Sequence, residues 1–475
     1  MDGLECNESN LSEIINNKDY RIDSQFWTTK IHKNSNHRYL KIGKILEKTQ
    51  YGISIEMNED KIGCPIFRMN EIHNMLCDLN VKKYAKISEK ELDEFKLKDG
   101  DVLFNRTNSF EWVGRTGIYY SNGNYDKQVF ASYLVRLIVD ETQVLPEYLV
   151  AFLNSSSGVK QIKARARQSI NQTNVNPEEV KEIEIPVLSM RFQKIVQDQF
   201  LLANDKRLKS AKLYEEAEEL LDRYLNISDL SQEKAINIVS LSQSMQLSGR
   251  LDAEYYQPKY ATLLRILKKL TTKNLGGANG IVSIKKSIEP GSEAYQDEGI
   301  PFIRVSDVDN FGISQTSIKL SQDIVPNVER LYPTKDTILL SKDGSVGIAY
   351  KVAEDMKVVT SGALLHLTVK DQSQVLPDYL TLILNSPIGQ LQAERDCNGA
   401  IIQHWKPNDI EKVLIPILDM NKQKEIADKV QKSFKLRRES ERLLDIAKQA
   451  VEIAIETDED TALSWLNNGA QMSCE

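Results

Sequence analysis

One phrase occurs twice in this chain. Ile185-Pro186-Val187-Leu188-Ser189-Met190-Arg191-Phe192-Gln193-Lys194-Ile195 returns as Ile415-Pro416-Ile417-Leu418-Asp419-Met420-Asn421-Lys422-Gln423-Lys424-Glu425-Ile426. In each copy a short apolar run ends at a proline and opens onto a long charged segment. Proline cannot continue a strand ladder and pre-sets the φ of a first helical turn, so each copy reads as a hinge from globule to helix. Repetition at a fixed period constrains a fold more than any single motif does.

Other pairs keep the same order at nearly constant separation. Arg21-Ile22-Asp23-Ser24-Gln25-Phe26-Trp27 is echoed by Arg250-Leu251-Asp252-Ala253-Glu254-Tyr255-Tyr256. Gly63-Cys64-Pro65-Ile66-Phe67-Arg68 answers Gly299-Ile300-Pro301-Phe302-Ile303-Arg304, each an alternating run of half-buried strand type. Asp101-Val102-Leu103-Phe104-Asn105-Arg106 matches Thr337-Ile338-Leu339-Leu340-Ser341-Lys342. Both runs enter a polar turn, Asn108-Ser109 against Gly344-Ser345, and the first copy then carries three extra residues, Phe110, Glu111 and Trp112. Gln143-Val144-Leu145-Pro146-Glu147-Tyr148-Leu149 is nearly identical to Gln374-Val375-Leu376-Pro377-Asp378-Tyr379-Leu380, and each proline should start a short helix.

The expected organisation is therefore a tandem repeat of mixed α/β (α+β) globular domains, each followed by a long helix. Residues 1–185 form the first globular domain and 186–225 its helix. Residues 226–249 are a linker, 250–414 the second globular domain, 415–456 its helix, and 457–475 an acidic, polar and peripheral tail. Phe192, Ile195, Phe200, Leu213, Ala217 and Leu221 recur at helical steps in the first helix. Ile426, Val430, Phe434, Leu443, Ala447 and Val451 do so in the second. Each stripe needs burial, and each helix offers its twin a matching one.

At 475 residues the chain is too long for one ordinary core. With 41% hydrophobic and 27% charged residues the composition is that of a globular protein, and no apolar run is long enough for a membrane span. The start, Met1–Asn10, is polar and acidic, unlike a signal peptide, so the expected compartment is the cytoplasm. Five scattered cysteines make neither a disulfide framework nor a zinc ribbon, and the five histidines have no metal-ligand spacing. There is no dinucleotide or Walker loop, and Asn176-Pro177-Glu178 reads as a helix start rather than an adenine-holding motif. These observations argue against an enzyme. A net charge of −7 leaves room for a nucleic-acid binder only through local basic patches.

The two variable domains, each followed by Ile-Pro-x-Leu…Gln-Lys-x-Ile and a long helix, resemble the specificity subunits of Type I restriction–modification systems from about Arg21 to Glu456. The resemblance implies a non-catalytic subunit whose two target-recognition domains each read half of a split, asymmetric DNA site. The two helices would pack antiparallel as a coiled-coil-like spacer in a pseudo-twofold molecule. It implies two modification (methyltransferase) subunits as partners, and restriction (motor-nuclease) subunits in the full complex. No cofactor is expected in this chain; S-adenosylmethionine belongs to the methyltransferase partner, and ATP and Mg to the restriction partner. A specificity subunit serving a fused restriction–methylation enzyme, and a coiled-coil scaffold without sequence-specific DNA binding, are the alternatives.

The family's recognition surface lies on loops near the end of each globular domain, including a Gly-x-x-x-Gln turn. Gly399-Ala400-Ile401-Ile402-Gln403 matches it and is followed by His404, Trp405 and Lys406. The first domain offers Gln168, Asn171 and Gln172, with Gln172 aligned to Gln403, just after the basic cluster Lys163, Arg165 and Arg167. Arg68 and Asn70, Arg304 and Ser306, Arg106 and Asn108, Lys342 and Ser345, and Arg115 complete the candidate DNA contacts. Arginine, asparagine and glutamine are the side chains that read purine edges bidentately, while lysine mainly anchors phosphates.

Overall fold

The computed structural model describes residues 8–16, 20–121, 123, 127–170, 172–227, 236–247, 249–314, 316–321, 323, 327–399 and 403–471. It divides into two compact units, residues 1–208 with 437–475, and residues 209–436.

In the first unit a six-stranded sheet has the order Leu46–Tyr51, Leu134–Val139, Val102–Asn105, Thr116–Ile118, Leu76–Cys77, Ile72–His73. The second unit repeats its centre as Val282–Lys286, Leu364–Val369, Ile338–Ser341, Ala349–Lys351. The matched hydrophobic runs Val102–Asn105 and Ile338–Ser341 are buried throughout, so both faces of each sheet are covered. A parallel strand pair recurs as well: Ile66 and Phe67 lie beside Val129 and Phe130, and Phe302 and Ile303 beside Val359 and Thr360.

The repeated phrases lock each unit together by the same bonds. Pro146 and Pro377 start the helices Pro146–Asn154 and Pro377–Asn385, as expected. The tyrosine two residues on donates to the carbonyl of the hinge proline, Tyr148 to Pro186 at 2.6 Å and Tyr379 to Pro416 at 2.9 Å. Gln193 and Gln423 are fully buried. Each accepts from the backbone N–H before the short helix, from Leu145 at 2.8 Å and Leu376 at 3.0 Å, and each donates back to two carbonyls. The signature glutamine thus satisfies buried backbone groups that would otherwise be costly orphans.

The long helices run Met190–Leu225 and Met420–Glu456. Within the first unit, Phe192, Val196, Phe200 and Ala203 share a core with Leu444, Ala447, Val451 and Ala454. The Ser440 hydroxyl donates to the Ala203 carbonyl at 2.7 Å, and Lys206 pairs with Glu439 at 2.5 Å. Within the second unit, the Ser210 and Ser433 hydroxyls each donate to the other's carbonyl at 2.8 Å, and Lys429 pairs with Glu216 at 2.5 Å. In each unit the partners step in opposite directions, so the helical segments are antiparallel. Alanine and serine at the contact let the backbones approach closely.

The chain's end differs from the expected peripheral tail. Glu459–Gln471 is a helix that buries Ala462 and Leu466 in the first unit's core, and Glu459 accepts from the Ser189 N–H at 2.6 Å. Its acidic start marks a helix N-terminus, where negative charge is favoured. Within the expected linker, Leu241–Leu247 is helical.

The units also differ at one buried position. Arg136 and His366 face the matched residues Leu103 and Leu339 across the same strand pair. Arg136 donates to Asp101 at 2.9 Å, to the Lys96 carbonyl at 2.9 Å, and to Gln50. His366 instead has Nε2 2.8 Å from the Thr360 hydroxyl, and burial, helped by the charge of Lys285, lowers its pKa to about 4. The unfolded chain takes up this proton near pH 6.5, whereas the fold resists it until about 4. The stabilisation is therefore complete above pH 6.5 and is lost as pH falls toward 4, on the order of 3 kcal/mol in all. Melting temperatures between pH 7 and pH 4.5 should fall less in His366→Gln than in the parent, and equal slopes would remove His366 as the cause.

Candidate nucleic-acid interface

Four candidates of the first unit, Asn108, Arg167, Gln168 and Gln172, lie on or beside a small antiparallel sheet of three two-residue strands, Arg167–Gln168, Thr173–Asn174 and Thr107–Asn108. The connecting turn is closed by the Ser169 N–H donating to the Gln172 carbonyl at 2.8 Å. Arg167, Gln168 and Gln172 are exposed and Asn108 is half-buried; Asn171 lies outside the described residues. Beneath them the Thr107 hydroxyl donates to Asn174 Oδ1 at 2.6 Å.

The second unit builds the same corner from residues far apart in sequence. The Gly344 N–H donates to the Gln403 carbonyl at 2.9 Å, and the Trp405 N–H to the Lys342 carbonyl at 2.7 Å. His404 Nδ1 lies 2.7 Å from Asp343 Oδ1, where the first unit has Asn174 and Thr107. Burial opposes ionisation of Asp343, but hydrogen bonds from Lys342 and His404 outweigh it and hold the carboxyl below its ordinary range. Gln403, His404, Ser345 and Lys406 are exposed. Ser345 also accepts, through its carbonyl, from the Ser341 hydroxyl at 2.6 Å.

This register corrects the alignment of Gln172 with Gln403. The Val175 N–H donates to the Arg106 carbonyl as that of Trp405 does to Lys342, which makes Val175 the counterpart of Trp405 and Thr173 the counterpart of Gln403. A one-residue slip along a strand turns the side chain to the other face. Gln172 and Gln403 are therefore not equivalent readers.

Several basic candidates are engaged inside the fold. Arg165 donates to the carbonyls of Gln161 at 3.0 Å and Glu182 at 3.3 Å, pairs with Glu179 at 3.8 Å, and lies 5.7 Å from the Phe26 ring. Arg21 lies 4.8 Å from the same ring. The second unit repeats this sandwich, with Arg250 at 4.6 Å and Arg395 at 5.4 Å from the Tyr255 ring. The echoed Arg-x-Asp-x-x-aromatic phrases are thus staples that hold the chain's entry onto each globule. Lys163 donates to the carbonyls of Phe110, Glu111 and Val113. Its burial lowers its pKa to about 8.

Arg115 stacks on Trp112 at 3.3 Å. Arg106 donates to the Ser132 carbonyl at 3.3 Å and lies over Tyr51. Arg68 and Arg304 close matching three-residue turns by pairing with Glu71 at 2.5 Å and Asp307 at 3.3 Å, leaving Asn70 and Ser306 exposed on those turns. Lys342 pairs with Asp343.

Trp405 corrects the sequence-based expectation outright. It is 2% exposed and belongs to the second unit's core, so its ring is enclosed by protein. The sequence missed an exposed cleft of about 560 Å³ beside Arg167 and Gln168, whose far wall is Tyr20, Arg21, Ile22, Asp23 and Gln25. Gln25 reaches the Lys163 carbonyl at 3.1 Å. The echo of the Arg21 phrase flagged that segment, but not the strand it packs against.

Residues 272–445 match the family model described as the Type I restriction modification DNA specificity domain. That segment of the chain is similar to this specificity domain. The match covers the second copy, and the duplicated hinge, sheet and glutamine locks extend the same plan to the first. The Escherichia coli type I restriction enzyme EcoKI specificity subunit is 28% identical over 156 residues, 33% of this chain and 33% of that protein. A Methanocaldococcus jannaschii relative, named for the MjaX specificity subunit, is 29% identical over 151 residues, 32% of this chain and 35% of its own length. The chain thus spans about a third of the curated relatives it matches. The crystal structure of the S subunit of a type I system from M. genitalium aligns over 92% of this chain and 96% of that one, at 15% identity and a TM-score of 0.35. Among the described residues no helix is long and apolar enough to cross a membrane, and no cluster of metal-ligating side chains is present.

Proposed function

We propose that this chain is the non-catalytic DNA-recognition subunit of a type I restriction–modification complex in the cytoplasm. Each unit reads one half of a bipartite, asymmetric site in double-stranded DNA. The observation that carries this reading is the specificity-domain match at residues 272–445, joined to a repeated corner that exposes unlike readers in the two units. Arg167, Gln168 and Gln172 stand in one, and Gln403, His404 and Lys406 in the other.

The long helices set the gap between half-sites and dock two methyltransferase subunits, with motor-nuclease subunits joining in the full complex. S-adenosylmethionine is held by the methyltransferases, and ATP with Mg by the motor-nucleases. Phosphate contacts position such a subunit and base-edge contacts give it specificity, so two chemically different corners predict two different half-sites. A pure scaffold is disfavoured by the specificity-domain match.

The test is single-molecule methylation mapping of DNA from cells expressing the chain with its neighbouring methyltransferase. A two-part adenine-methylation motif with a fixed gap should appear only when the chain is present, and exchanging residues 1–185 should change one half alone. Identical methylation with and without the chain would refute the proposal.

A further inference from the structure

The second unit turns between its matched strands with Gly344-Ser345, whereas the first inserts Phe110, Glu111 and Trp112 at the same place. We propose that this insertion is a pre-set aromatic wedge, with Phe110 entering a base step of the half-site that the first unit reads. The proposal rests on the recognition role argued above.

The inserted loop is held by contacts of its own. The Ser109 N–H donates to Asn108 Oδ1 at 2.8 Å, and the N–H groups of Trp112 and Val113 both donate to the Ser109 carbonyl. Lys163 gathers three carbonyls of the loop onto one ammonium and lies 5.1 Å from the Phe110 ring centroid. Arg115 covers Trp112. Gly114 closes the loop at φ +91°, as Gly347 closes the shorter turn of the second unit at φ +88°.

The result is an exposed tip, Ser109-Phe110-Glu111, in which a large apolar ring remains 37% exposed. The tip emerges directly from the Thr107–Asn108 strand, which pairs with Thr173–Asn174, and that strand pairs on its other side with Arg167–Gln168. A wedge must offset the unstacking of a base step, a few kcal/mol, so any ordering of the loop on binding would subtract from affinity. Ordering it beforehand removes that cost. Glu111 alone would repel phosphates, but Lys163 and Arg115 both interact with its charge. Pyrimidine–purine steps open most readily, so the first half-site should contain one at a fixed position.

The test uses the full chain assembled with its methyltransferase partner. Its probes are duplexes carrying 2-aminopurine at successive positions of the motif recovered by methylation mapping. The parent complex should raise fluorescence at one step of the first half-site. Phe110→Ala should abolish that rise and relax selectivity at that step by about tenfold, with the second half-site unchanged. Lys163→Met should weaken both effects. Melting temperature controls for folding, and excision of residues 110–112, which restores the second unit's turn length, serves as the second variant. A fluorescence rise and motif unchanged by Phe110→Ala or by the excision would overturn the wedge while leaving the recognition role intact. Failure of the unaltered chain to yield any two-part motif would overturn both.

Discussion

Arg165→Ala should destabilise the first unit by about 3 kcal/mol or more, because it leaves a buried carboxylate without its nearby cation. Arg167→Ala, two residues on, should change stability by no more than about 0.5 kcal/mol and weaken DNA binding about tenfold. The contrast follows from position. The Arg165 side chain is 14% exposed beside Glu179, itself 2% exposed, and it donates to two carbonyls while packing on Phe26. Arg167 stands on an exposed edge strand. Urea unfolding followed by circular dichroism gives the first quantity. Titration of the assembled complex onto its site across a salt series gives the second, and loss of a phosphate contact would lower the salt slope by about one. Equal DNA defects in two equally stable variants would return Arg165 to the contact surface.

Trp405→Ala should cost the second unit about 3 to 5 kcal/mol through the cavity it opens. The ring is enclosed by the core that also holds Tyr379, Leu382 and Ile410. Its indole N–H has no hydrogen-bond partner, so Trp405→Phe loses volume without orphaning a polar group and should be far milder. Limited proteolysis of the second unit, together with its unfolding midpoint, checks this. A Trp405→Ala protein of parental stability that has lost only DNA affinity would contradict the buried placement.

The hinges at Pro186 and Pro416, the short helices opened by Pro146 and Pro377, and the two helical stripes were all legible as repetition and periodicity. They are local: a proline's φ, a helix's spacing and a repeated phrase act within a few residues of themselves. The staples built on Arg21 and Arg250 were visible as an echo, but their purpose was not, because the ring each arginine clamps is also clamped by Arg165 or Arg395 from a distant helix.

The contact surface was the least legible part. Lys163, Arg165 and Arg167 look like one basic cluster in sequence, yet a helix end turns two of them inward and leaves the third on a strand. Likewise, of Gln403, His404, Trp405 and Lys406 only Trp405 turns into the core, beside the bridge from His404 to Asp343.

The sequence by itself determined the duplication and the order of elements. Repeated phrases survive in linear order, and the propensities of proline, glycine and apolar stripes need no knowledge of the partner. Only the tertiary structure decided which charges face solvent. A side chain's exposure depends on which distant carbonyl, ring or carboxylate the fold brings against it, and on a strand register that one residue's slip reverses.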